Sequence, residues 1–155
     1  MTTHIIGTIA SSALVVFFAI ILARGGEKWW KALIPVVSGL AVGTIANRNT
    51  ALTRTLVASE AGSIITAAIM GIAMAAGASG GLIALFAALT LIVSIIGVVA
   101  VAITYVNLAR AFGKGTGFGI GLLLVPVVFF GILAIGENEY RGPQGGTPEV
   151  AAEAA

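Results

Sequence analysis

No charged side chain and no histidine occurs between Ala61 and Ala109, a run of 49 residues. A chain of 155 residues cannot build a water-soluble core thick enough to enclose such a run, whereas bilayer hydrocarbon accepts it readily. The chain therefore reads as an integral membrane protein, all-α, and its length gives room for one helical bundle. Charged residues are only 9 % of the sequence and the net charge is +2. With so few ionisable groups, a basic balance is no sign of nucleic-acid binding; the Lys and Arg residues instead flank apolar segments, where they set orientation.

Four apolar segments are long enough to cross a bilayer: about 5–23, 61–77, 82–109 and 117–136. Ala78-Ser79-Gly80-Gly81 reads as the tight turn between the second and third, which makes them a hairpin. Pro126 falls inside the fourth and should kink it. A fifth stretch, 32–46, is short and carries Pro35, Gly39 and Gly43. If it does not span, seven basic residues, Arg24, Lys28, Lys31, Arg48, Arg54, Arg110 and Lys114, share one side and Arg141 alone faces the other. That asymmetry assigns 32–46 as an additional short interfacial or re-entrant helix beside a four-helix bundle. Both termini are then expected outside the cytoplasm. No Lys or Arg precedes the first apolar segment, the opposite polarity to a secretory signal, so this segment reads as an uncleaved anchor. Residues 137–155, polar and rich in Pro and Gly, read as a flexible extramembrane tail.

Small residues supply the next pattern. Ala67, Gly71 and Ala75 form a small-xxx-small face on the second segment. Gly113, Gly117 and Gly121 form a doubled GxxxG, read as a helix-packing face. The same loop has no Walker pattern, because Lys114 is followed by Gly115; phosphate or lipid-headgroup binding by Arg110 and Lys114 is the lesser reading. Trp29 and Trp30, flanked by Lys28 and Lys31, read as interfacial anchors, as do Arg110 and Lys114.

Chemical groups are few. There is no Cys, no Asp and a single His, His4, so neither a metal site nor a cofactor is expected. Glu60 is the one acidic residue near a membrane segment. It is expected at the helix start, where its charge suits the dipole and Arg54 or Arg48 can pair with it; a proton-relay role is the sharper alternative. Asn107 is expected to bond a neighbouring helix.

The run ARAFGKGTGFGIGLLLVPVVFFGILAIGENEYRGP, with WWKALIPVV upstream, resembles the C-terminal signature of a family of small bacterial membrane proteins, AKAFGKG-x-GFGLGL…P-x-x-FxPILAFG-x-x-xYxGP. Gly131 stands where that family often has Pro, and Val37-Ser38 where Tyr-Asn often follows the IP pair. The resemblance implies a bacterial inner-membrane location and no established activity, although members are frequently labelled signal peptidase I. The residues argue against that label. A Ser–Lys peptidase needs an extracytoplasmic catalytic domain, and Lys28, Lys31 and Lys114 all read as cytoplasmic. The expected role is therefore non-enzymatic: a structural or accessory subunit associating with other membrane subunits or with copies of itself. The contrasting reading is a small oligomeric channel or transporter, which requires Ser63, Thr66, Thr90, Ser94, Thr104 and Asn107 to converge on one face. A membrane-embedded enzyme is the least favoured.

Overall fold

A computed structural model describes residues 2–143, without the side chains of 2–11 and of residue 35. The His4 side chain and most of the expected tail, 144–155, lie outside what is described. The described chain is all-helical: α1 (Thr2–Arg24), a 3-10 turn η1 (Trp29–Leu33), α2 (Pro35–Ala46), α3 (Thr50–Ala75), α4 (Gly80–Ala111), α5 (Thr116–Leu124) and α6 (Pro126–Ile135).

Local chemistry sets these limits. Pro35 and Pro126 each occupy the first position of a helix, where the missing N–H is not needed and the ring fixes a helical φ. The Asn49 side chain accepts the Ala51 N–H at 2.8 Å and caps α3. That cap starts α3 eleven residues before the expected 61. Gly77, at φ +71°, closes α3 in a left-handed turn with Ala78 N–H reaching the Ala73 carbonyl at 3.0 Å. The bend is thus Ala76–Ser79, and Gly80 and Gly81, expected in the turn, open α4 instead.

Among the described residues, α3 and α4 are the two helices long and apolar enough to cross a membrane. With 26 and 32 residues they extend about 39 and 48 Å at about 1.5 Å per residue. They pack as an antiparallel hairpin, with α2 against both, α5 against α4, and α1 against α6. Burial is confined to one end. The buried residues of α3 are Thr53, Leu56 and Ser59, and those of α4 begin at Ala100. From α4, Leu108, Ala109 and Ala111 join Ile21, Leu22, Ala41, Val42, Phe130 and Leu133 in one core. Beyond it the hairpin projects bare, with Ile72 69 % and Leu91 62 % exposed.

Residues 117–136 do not form one continuous helix. The helix stops at Val125 (φ −134°, ψ 67°) because Pro126 has no N–H for the Leu122 carbonyl, and α6 returns toward the start of α5. The return is fixed by three contacts. Arg24 Nη1 donates to the Gly136 carbonyl at 2.6 Å, Arg141 N–H donates to the Ala111 carbonyl at 2.7 Å, and Gly121 lies directly against the Phe129 ring. Residues 25–46 make a second excursion of the same kind. The chain leaves at Gly25, runs along α1 through η1 and comes back in α2, so that Ile45 abuts Gly25. The end of α1, the end of α2, the start of α3, the end of α4 and the end of α6 therefore share one end of the molecule. All eight Lys and Arg lie in the turns and terminal helical residues of that end, and Arg141, expected apart from the other seven, is at the same end as they are. Residues 137–143 are correspondingly not a loose tail. The Tyr140 hydroxyl donates to the Ile45 carbonyl at 3.0 Å, and its ring packs on Phe112 with centroids 5.4 Å apart.

Candidate functional site

Glu60 does not sit at a helix start. It lies ten residues into α3, about 15 Å along the axis, so the dipole argument does not hold for it. The one ion pair among the described residues is Lys31–Glu27, at 2.5 Å; neither Arg48 nor Arg54 pairs with Glu60. Its carboxylate instead lies over Gly39 of α2, so closely that a Cβ at residue 39 would collide with it. The absent side chain is what lets α2 approach α3 at this level. One carboxylate oxygen, Oε2, is buried and has no hydrogen-bond partner among the described residues.

Two cavities meet at this carboxylate. The first, about 200 Å³, is lined by Ser38, Gly39, Glu60, Thr104 and Tyr105 among apolar neighbours. The second, about 300 Å³, is lined by Ser59, Glu60, Ser63, Ser94 and Gly97 together with Leu123 from the end of α5. Toward the basic end the first cavity abuts a buried polar chain. Asn107 Nδ2 donates to Asn47 Oδ1 at 2.8 Å, and Asn47 Nδ2 donates to Thr104 Oγ1 at 3.2 Å. Of the six residues a polar path requires, Ser63, Ser94, Thr104 and Asn107 thus belong to one seam between α3 and α4 with Glu60 at its centre. Thr66 and Thr90 each donate to a carbonyl of their own helix, Gly62 and Phe86, both at 2.8 Å. Nothing in the sequence marks Asn47 or Tyr105, and Gly39 reads there only as an interruption of 32–46. Only the tertiary path brings Asn47 to Asn107.

The expected doubled GxxxG is not one helix face. Gly113 is in a turn (φ +71°) outside any helix, and the site of a Cβ at Gly117 is open, so Gly113, Gly117 and Gly121 do not form one packing stripe. Close helix approach is made by Gly119, where an added Cβ would stand 2.5 Å from Val106 Cα, and by Gly121 against Phe129. Ala67, Gly71 and Ala75 are exposed, and nothing in the described chain approaches Gly71. Trp29 and Trp30 are exposed on η1. Arg110 Nη2 donates to Thr116 Oγ1 at 3.1 Å, and Lys114 Nζ lies 5.9 Å from the Phe118 ring centroid.

A family model described as a family of unknown function (DUF5684) matches residues 30–143. The chain belongs to that family. The match takes in most of both excursions, Glu60 with its two cavities, and the Asn47–Asn107 pair. No curated protein and no solved structure matches the chain.

Proposed function

We propose that this chain is a bacterial inner-membrane protein that conducts a small cation, a proton or an alkali ion, along the α3–α4 seam through Glu60. The supporting observation is the Glu60 carboxylate itself, mid-helix, with Oε2 buried and unpartnered at the junction of two cavities. An ionisable group at such depth costs about 2.5–3.5 kcal/mol or more, and membrane proteins keep one where it serves an ion or proton path. In this reading α1, α3 and α4 cross the bilayer, with the aliphatic surface of the projecting hairpin facing lipid. Segments 29–46 and 116–135 enter from the cytoplasmic face and return to it. Interrupted helices of this kind are tolerated at membrane depth where they are covered by protein or line a polar space.

The test is flux in vesicles reconstituted with the purified chain, under an imposed potential, reading lumenal pH and alkali cation uptake separately. Wild-type protein should carry one of the two, and Glu60→Gln should reduce the flux to that of protein-free vesicles. No flux from folded wild-type protein defeats the proposal. The exposed Ala67–Gly71–Ala75 face favours a second reading, an accessory subunit docked on other membrane chains or on its own copies. Foreign subunits co-purifying at fixed stoichiometry from the native membrane would support that reading.

A further inference from the structure

At the basic end, the segment following α6 arches along the rim of an open surface cavity of about 530 Å³, with Arg24, Glu137, Glu139 and Arg141 exposed. Five charged side chains line it: Arg24 from α1, Lys114 from the α4–α5 turn, and Glu137, Glu139 and Arg141 from the arch. No two of the five form an ion pair, since Lys31–Glu27 is the single pair among the described residues. Neutral groups position the three cations instead. Arg24 is held through Nη1 by the Gly136 and Leu133 carbonyls. Lys114 lies near the Phe118 ring. The Arg141 guanidinium rests on Gly113, where a Cβ would stand 2.8 Å from Cζ. Three cations that no carboxylate pairs directly, converging from three separate elements, can recognise a phosphate. The two carboxylates on the same wall are suited to an ammonium group.

We propose that this cavity binds an amine-bearing phosphoester, with the phosphate held by Arg24, Lys114 and Arg141 and the ammonium by Glu137 and Glu139. That chemistry occurs both in an ethanolamine phospholipid headgroup and in a soluble phosphoethanolamine. The site is separate from Glu60 and does not depend on ion conduction.

The test uses the purified full chain in detergent and in lipid nanodiscs. Calorimetric titration with phosphoethanolamine, glycerol 3-phosphate and inorganic phosphate reads the soluble arm. Native mass spectrometry after release from nanodiscs of equal phosphatidylethanolamine and phosphatidylglycerol content reads the lipid arm. Saturable phosphoethanolamine binding identifies a soluble ligand, and selective retention of phosphatidylethanolamine identifies the lipid. In whichever arm binds, Lys114→Gln and Arg141→Gln should each weaken binding about tenfold or more. Glu139→Gln should remove the preference for the amine while leaving glycerol 3-phosphate or phosphatidylglycerol binding unchanged. Circular dichroism confirms that each variant is folded; Arg24 is left intact because it also holds the end of α6. The proposal is overturned if folded wild-type protein binds no soluble probe and retains the two lipids in their bulk ratio. Binding indifferent to Lys114→Gln and to Arg141→Gln overturns it equally.

Discussion

At the scale of single residues, the glycines carry the sharpest contrast. Gly119 and Gly117 are two positions apart on α5, yet one is pressed against the backbone of Val106 and the other borders open space. A backbone atom cannot rotate away from an added methyl, so Gly119→Ala should destabilise the chain by about 1–3 kcal/mol through displacement of α5 from α4. Gly117→Ala should be neutral or stabilising by up to about 1 kcal/mol, since Ala favours the helix. Chemical denaturation of the two variants in the same detergent checks this; equal losses would remove the assignment of Gly119 as the packing glycine. The alternation of glycines from 113 to 121 was plain in the sequence. Which of them packs was not, because that depends on Gly113 ending α4 in a left-handed turn and so breaking the i, i+4 series.

Among the elements, the long helices were the legible part. Uninterrupted apolar sequence makes α4, and the expected 82–109 lies within Gly80–Ala111. The break at Pro126 was legible as a kink, but its outcome was not. Whether a proline bends a helix or reverses its course depends on what receives the returning segment. Here that is Gly121 for Phe129, Phe18 and Tyr105 for Phe130, and Arg24 for the end of α6. The arch 137–141 was read as a tail because its composition is polar, although one backbone bond from Arg141, one bond from the Tyr140 hydroxyl and one aromatic contact dock it. Its Tyr140 allows a pH test. Burial, and then the nearby negative charge of Glu27, push the phenol above its ordinary value of 10. The neutral phenol is thus the form that fits the folded arch, so its contribution is complete below pH about 10 and is lost as pH rises through the folded-state value. Tyr140→Phe should cost about 1 kcal/mol at neutral pH and should abolish the part of the alkaline destabilisation that this phenol causes. Thermal unfolding of both proteins from pH 8 to 11 measures it; identical alkaline losses would mean that the arch does not report through Tyr140.

For the whole molecule, the decisive fact is that the basic residues all gather at one end. Counting charges along the sequence left Arg141 as an exception only because 117–136 was taken to cross. The chain has no Cys, so single cysteines can be introduced without background. Arg48→Cys and Glu137→Cys should react with a membrane-impermeant maleimide from the same face of sealed inner-membrane vesicles, and Ser79→Cys from the opposite face. Labelling of positions 48 and 137 from opposite faces would restore the four-crossing path. The reversal at Val125–Pro126 also bears on how such a chain is made. A ribosome delivers 117–136 as twenty apolar residues in a row, long enough for the insertion machinery to accept as a span. Yet the tip leaves the Leu122 carbonyl without an N–H from Pro126, a liability in bare lipid. The segment becomes a stable hairpin only against an α4 already in position, whose Val106 takes the close approach of Gly119. Biogenesis should therefore run in order, with the α3–α4 pair inserted first and the last twenty apolar residues docked onto it afterwards.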